Sequence, residues 1–179
     1  MIYFVSDMHF GHKNILHLDK RPYVDLHEME DKLIEMWNTT VKPGDIVYHL
    51  GDFFWTKNAA RRVAPRLKGE IICIKGNHDN HWWKIGDELP NLNLIQDSIH
   101  LLKRQDNPDI VMCHYPMRSW PGSARGSYHL YGHTHRKLPV CGRNLCVCLN
   151  VNDFHLVSLD LVDQLLSTRN EPRDEHGPL

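Results

Sequence analysis

The chain has 179 residues and a mass of 21.0 kDa, 41% apolar and 24% charged, a size that suits one hydrophobic core and one domain. Lysine plus arginine (21) against aspartate plus glutamate (22) leave a formal charge of -1, which argues against gripping nucleic acid by bulk positive charge. The longest apolar runs, residues 71–74 and 145–149, fall far short of the roughly 18 residues that a membrane helix needs.

Met1 leads straight into Ile2-Tyr3-Phe4-Val5 with no basic leader or small-residue cleavage site, which predicts a cytoplasmic protein. Residues 2–6 predict a buried strand. Asp25-x-x-Glu28 then forms a capping box for a helix with Met29, Leu33, Ile34 and Trp37 on one face, ending before Pro43-Gly44. Residues 45–50 predict the next strand, Thr56 caps a basic helix that Pro65 and Gly69 close, and residues 70–75 predict a third strand. After Asn91 the pattern changes to short strands at 94–98, 110–114, 128–131, 145–149 and 156–159, with a last helix over 160–167. The fold class is α/β, a parallel half followed by a strand-rich half, with one domain over 1–167 and a loose charged tail over 168–179. The five cysteines (Cys73, Cys113, Cys141, Cys146, Cys148) are odd in number and lack a C-x-x-C pair, so they predict reduced thiols in strands.

Histidine is the anomaly, at 14 of 179 residues. In α/β sheets ligands bind beyond the carboxyl ends of strands. There the chain places Asp7-Met8-His9, Gly51-Asp52, Gly76-Asn77-His78-Asp79, Cys113-His114 and Gly132-His133-Thr134-His135. Single motifs carry little: D-x-H occurs five times, and G-H-x-H arises by chance in about one chain in fifteen of this composition. Taken singly, a cap, turn or surface role explains each residue better than a ligand role. Five motifs in order, each behind a predicted strand, reverse that judgement. Aspartate, asparagine and histidine without thiolate suit Mn²⁺, Fe or Zn²⁺ better than Ca²⁺ or an iron–sulfur cluster. Seven ligands exceed the needs of one ion, so two are expected, with the Asp52 carboxylate as their bridge.

The series Asp7-x-His9, Gly51-Asp52, Gly76-Asn77-His78-Asp79, His114 and Gly132-His133-x-His135 resembles the calcineurin-like metallophosphoesterases. The strings SDMHFGHKNI, YHLGDFFW, CHYPMRSW and YGHTH resemble their small single-domain bacterial and phage branch. The resemblance implies a four-layer α/β/β/α sandwich, two mixed sheets flanked by helices. It implies one metal on Asp7, His9, Asp52 and His135, and a second on Asp52, Asn77, His114 and His133. His78 becomes the proton donor or transition-state stabiliser, with Asp79 behind it to fix its tautomer. Many relatives carry a charged residue shortly after Gly-Asp, where this chain has Phe53-Phe54-Trp55.

Of the remaining histidines, His17, His27, His49, His81, His100, His155 and His176 read as packing or surface residues. His12 and His129 stand apart because both lie within a few residues of ligands. Phe53, Phe54, Trp55, Trp82 and Trp83 are expected to pack beneath the rim, and Arg61, Arg62 and Arg66 to form a solvated helix face. Arg118 and Arg125, in a polar loop between two ligand motifs, and His12 are the candidate substrate-phosphate contacts. The expected activity is phosphate-ester hydrolysis at a two-metal centre, most simply Mn²⁺, by in-line attack of a metal-bound hydroxide. With no room in this length for a capping domain, an open site favours phosphodiesters such as nucleotides or cyclic nucleotides. The alternatives are a nuclease of the same family, which the neutral charge disfavours, and a non-catalytic interaction scaffold, which needs neither the full ligand set nor His78.

Overall fold

The computed structural model describes residues 1–139 and 141–169. Its strands are β1 (Ile2–Val5), β2 (Ile46–His49), β3 (Glu70–Ile74), β4 (Leu92–Ile95), β5 (Ile99–Leu102), β6 (Ile110–Cys113), β7 (Tyr128–Tyr131), β8 (Asn144–Cys146) and β9 (Val157–Ser158). The helices are α1 (Ile15–Leu18), α2 (Leu26–Thr40), α3 (Lys57–Val63) and α4 (Leu159–Leu166). Two mixed sheets result, ordered β4-β3-β2-β1-β9 and β5-β6-β7-β8. Strands β1 to β4 run parallel and β9 antiparallel to β1; β6, β7 and β8 run parallel and β5 antiparallel to β6.

The helices start where their caps stand. Asp25 accepts the N–H of Glu28 at 2.8 Å while the Glu28 carboxylate accepts the N–H of Val24, one residue outside the cap. Thr56 caps α3 through Ala59 N–H at 3.1 Å, and Ser158 caps α4 through Leu161 N–H at 3.2 Å. Strand alternation divides the core in two. Val5, Val47, Ile71 and Cys73 face Met29, Leu33, Ile34 and Trp37 of α2 and Ala60 and Val63 of α3. Phe4, Tyr48 and Ile74 face Ile110, Met112, Tyr128 and Leu130 of the second sheet, and Val162 and Leu166 of α4 join that inter-sheet core. A loop carrying Trp120 and the 3₁₀ turn Ser123–Arg125 lies against the second sheet, Trp120 packing on His129 with ring centroids 5.3 Å apart.

The molecule departs from the sequence expectations mainly at element boundaries. The change of pattern after Asn91 is not the border between sheets, because β4 still pairs parallel with β3; the border falls between β4 and β5. Strand β5 has no signal in the sequence: on this edge strand Ile99 and Leu101 are exposed, so no buried apolar run marks it. The single turn α1 is likewise unmarked. Of the expected tail, Thr168 and Arg169 are described, and Arg143 Nε donates to the Arg169 carbonyl at 2.9 Å; residues 170–179 lie outside the described residues. All five cysteines are free, with Cys73, Cys113 and Cys146 in strands. Among the described residues no helix is long and apolar enough to cross a membrane.

Candidate metal centre

The backbone beyond β1 and β2 continues as a ladder after regular strand geometry ends. Leu50 N–H donates to Val5 O at 2.8 Å, Asp7 N–H to Gly51 O at 3.0 Å, His9 N–H to Asp52 O at 3.0 Å, and Phe10 N–H to Phe53 O at 2.9 Å. This ladder sets Asp7 and His9 beside Asp52. The second sheet is tied to the same rim: Ser6 N–H donates to Val147 O and Leu149 N–H to Ser6 O, each at 3.0 Å, and Gly132 N–H donates to His114 O at 2.9 Å.

Five of the seven expected ligands have left-handed backbone: Asp7 (φ 59°), His9 (54°), Asp52 (57°), His133 (69°) and His135 (52°). Non-glycine residues adopt this region at a cost, and such costs cluster where side chains must be aimed. Gly76 explains the close approach behind them, since a Cβ there would lie 2.3 Å from Asp52 Oδ1.

Two groups of donor atoms converge. The ligand atoms of Asp7, His9 and His135 lie within 4.8 Å of one another, as do those of Asp7, Asp52 and His114. His9 Nε2 is 3.3 Å from His135 Nε2 and 3.7 Å from Asp52 Oδ2; His135 Nε2 is 3.2 Å from Asp7 Oδ1. On the other side His114 Nε2 is 3.6 Å from Asp52 Oδ2 and 2.9 Å from Asn77 Oδ1, and His133 Nδ1 is 3.0 Å from Asn77 Oδ1. Donors held about 2.1 Å from one ion lie about 3 to 3.4 Å apart, so many of these spacings match the edges of coordination polyhedra. Asp52 Oδ2 stands between the two histidine sets, and Asp7 contributes to both groups.

The electrostatics fit cations. Asp7 is fully buried, and its Oδ1 has no aligned hydrogen-bond donor; Oδ2 accepts the His133 N–H at 2.9 Å and the Cys148 thiol at 3.0 Å. Burial works to raise the Asp7 carboxyl, but the His135 contact and the nearby His114 and His9 outweigh it and hold it well below the carboxylate range. Burial pushes Asp52 up to about 6 despite His114 and the His78 N–H, so its ionised form needs positive charge nearby. Burial also opposes charge on His135, yet Asp19 and Asp7 overcome it and raise the imidazole to about 10. A bound cation would supply that balance in place of the proton. His114 Nδ1 donates to Leu50 O at 2.7 Å, which leaves Nε2 a lone pair for a metal.

The pattern of the calcineurin-like phosphoesterase superfamily domain matches residues 1–151, which include all seven donors. The chain belongs to the calcineurin-like phosphoesterase superfamily. The chain is 32% identical over 175 residues to the uncharacterized protein MJ1445 of Methanocaldococcus jannaschii, covering 92% of this chain and 90% of that protein. It is similar to the solved structure of the protein of unknown function AQ665 from Aquifex aeolicus, with a TM-score of 0.72, 26% identity, and coverage of 92% of this chain and 98% of that one. The two-sheet architecture described above is consistent with the calcineurin-like fold, and the donor groups suit the divalent metals that the family generally binds.

Several sequence expectations need correction. Asp79 does not orient the His78 imidazole. It is fully buried and accepts the N–H groups of Asp52 (2.8 Å), Gly76 (2.7 Å) and Phe53 (2.9 Å) and the Trp82 indole N–H (2.5 Å). His78 itself is exposed above the centre, its Nε2 3.9 Å from Asp52 Oδ2. Arg125 lies with Lys103 and Asp109 at the amino ends of β6 and β7, the opposite end from the donors. Arg118 is exposed and makes no hydrogen bond or ion pair among the described residues. His129 is a core residue, its Nδ1 donating to Val111 O and its Nε2 accepting the Met117 N–H, both at 3.1 Å. Trp55 does not pack beneath the rim. It stacks on His12 with centroids 3.7 Å apart and planes at 4°, and lies 4.9 Å from His78. His12 is therefore beside the centre, as expected, whereas Phe53, Phe54 and Trp82 are core. Arg61, Arg62 and Arg66 pair with Glu88, Glu30 and Asp31 on the helix surface.

Other residues had no sequence signal. Asp19 Oδ2 accepts His135 Nδ1–H at 2.6 Å and so aims Nε2 at the centre. Buried Arg21 donates to the carbonyls of Asp7 (2.7 Å) and Met8 (2.8 Å), pinning the left-handed turn. Contact with Cys146 and burial push the Cys148 thiol far up, keeping it a donor to Asp7.

Proposed function

We propose that this protein hydrolyses phosphodiesters, such as nucleotides or cyclic nucleotides, at a centre of two transition-metal ions, most simply Mn²⁺, with Fe or Zn²⁺ as the other fitting metals. The observation that carries this reading is the position of Asp52 Oδ2, 3.7 Å from His9 Nε2 and 3.6 Å from His114 Nε2, a carboxylate between two separate donor sets. Asp7, His9, Asp52 and His135 hold one ion; Asp52, Asn77, His114 and His133 hold the other. When bound, such ions polarise the phosphoryl group and lower the pKa of water near it.

The chain's own residues do the rest. A water oxygen bonds to phosphorus as the ester P–O bond breaks on the opposite side; the water's proton passes to solvent and the leaving oxygen takes one from the His78 imidazolium. His78 is free for this because its ring is exposed and its Nε2 stands 3.9 Å from Asp52 Oδ2, farther than His9 or His114. Asp79 holds the backbone N–H groups of Asp52 and Gly76 in place, and the Trp55 ring with His12 behind it walls one side of His78. Exposed Asn77, His78 and His133 make the site open enough for a substituent on both phosphate oxygens. Five free thiols suit a reducing, cytoplasmic setting.

The test loads the protein with Mn²⁺, counts ions by elemental analysis, and compares a chromogenic phosphodiester with its monoester. Two ions per chain and turnover of the diester are expected, and Asp52→Asn lowers both occupancies. At most one ion under metal-replete conditions sinks the two-ion reading, absence of turnover sinks the phosphoesterase reading, and a strong monoester preference reverses the substrate class.

A further inference from the structure

Beside His133 and His135 a polar groove of about 550 Å³ opens, lined by Leu18, Asp19, Lys20, Thr134, Arg136 and Asn150 as well as the two histidines. Its charge is lopsided. Asp19 is the one carboxylate, and it is committed to His135 Nδ1 at 2.6 Å and Arg21 at 3.4 Å. Lys20 and Arg136 are exposed, and neither side chain forms an ion pair or hydrogen bond among the described residues. Among the described residues, unpaired cations such as Arg118 occur elsewhere on the surface, but Lys20 and Arg136 are the lysine and arginine that line this groove beside the donor histidines. Lys20 also adopts a left-handed backbone (φ 50°), which glycine or asparagine would tolerate at lower cost.

We infer that this groove binds a second phosphoryl group of the substrate, joined to the one undergoing hydrolysis. The inference rests on the phosphoesterase reading and narrows its substrate class to small nucleotides with a phosphoanhydride-linked chain. His133 and His135 are shared between the metal centre and the groove wall, so a phosphate held at the centre has its next substituent directed along a surface carrying Lys20 and Arg136. A lysine point charge and a forked guanidinium are the side chains that bind phosphoryl oxygens best. The volume admits a group of nucleotide size, and Leu18 is the groove's sole apolar side chain, so a purely hydrocarbon leaving group gains little there. Arg125, at the opposite end of the sheet, cannot take this part.

The test uses the Mn²⁺-loaded protein and two para-nitrophenyl esters, of a nucleoside monophosphate and of the corresponding nucleoside diphosphate, which differ by one phosphoryl group. Wild type should favour the diphosphate ester in kcat/KM, and Lys20→Gln and Arg136→Gln should each reduce that preference on the order of tenfold, through KM. Calorimetric binding of a non-hydrolysable nucleoside methylenediphosphonate to the same loaded proteins should weaken by a similar factor, a readout separate from turnover. Turnover of both esters with a preference unchanged in both variants overturns this inference and leaves the phosphoesterase reading standing. If the variants slow cleavage of a single-stranded oligonucleotide but leave the diphosphate ester's preference intact, the groove reads a nucleic-acid backbone and the small-nucleotide assignment is wrong. Absence of turnover of either ester by wild type overturns the parent reading and this one with it.

Discussion

The carboxylate of Asp79 accepts the backbone N–H of Asp52 at 2.8 Å, joining the Gly-Asn-His-Asp loop to the Gly-Asp loop through main chain rather than through the neighbouring imidazole. With the N–H groups of Gly76 and Phe53 and the Trp82 indole, four donors share its two oxygens. Asp79 thus acts on the centre by holding the left-handed turn at Asp52.

Asp79→Asn places an NH₂ group against two of those donors, whichever way the amide turns. Two buried donors left unpaired cost about 3 kcal/mol or more, equivalent to roughly 10 °C in Tm for a chain of this size. Thermal denaturation should show that loss and elemental analysis a lower metal content. A variant with unchanged Tm and metal content but altered dependence on leaving group would restore Asp79 as the orienter of His78.

His78→Ala should keep its metals, because the exposed ring stands 3.9 Å from Asp52 Oδ2, farther than His9 (3.7 Å) or His114 (3.6 Å). Turnover should fall roughly 10² to 10⁴-fold, as for a positioned acid, and less for an acidic leaving group that needs little protonation. Elemental analysis beside a leaving-group series separates the outcomes. Loss of a metal makes His78 structural, and equal slowing of good and poor leaving groups makes it an electrostatic stabiliser.

Asp19→Asn removes the negative charge behind His135 Nδ1 and weakens the preference for a proton on that nitrogen. Metal affinity should fall about 10 to 100-fold, the range for partners that orient a ligating histidine. Competition against a chelator reads this directly, and an unchanged affinity would leave Asp19 with no part in the centre.

His129 links pH to stability away from the metals. Burial lowers its pKa to about 4, outweighing the backbone of Val111 and Tyr115, which raise it; Nδ1 donates to Val111 O, and Nε2 must stay bare to accept the Met117 N–H. In the unfolded chain the imidazole titrates near its ordinary value of about 6.5, so between these values the unfolded state binds the extra proton. The contribution is therefore present above about 6.5 and lost as pH falls towards 4, about 2 kcal/mol by pH 5 and about 3 kcal/mol when complete. His129→Gln should be less stable at pH 7 yet lose less on acidification, as urea denaturation at pH 7 and 5 would show. Parallel loss in both proteins would remove His129 as the source of the slope.

The sequence by itself determined most of the buried strands and the chemistry that follows them. Buried parallel strands read as unbroken apolar runs, and in a parallel sheet whatever follows each run emerges on one rim, which groups Asp7, His9, Asp52 and Asn77 behind one sheet and His114, His133 and His135 behind the other; contacts between the sheets, such as His133 N–H to Asp7 Oδ2, bring the two rims together. Helix starts at Asp25 and Thr56 are legible because a cap is a local event. Edge strand β5 escapes because an exposed edge carries no buried apolar run. Roles set by long-range contact were decided only by the tertiary structure. Asp79 has four N–H donors to satisfy, two of them 26 and 27 residues away, and no local pattern reveals that it turns away from the adjacent histidine. Asp19 and Arg21 come from a charged loop indistinguishable from a solvated one until the chain folds His135 and the Asp7 turn against it. Arg125 and Lys20 show the same limit for substrate contacts, since a loop residue's distance from a site depends on which end of the sheet its loop returns to.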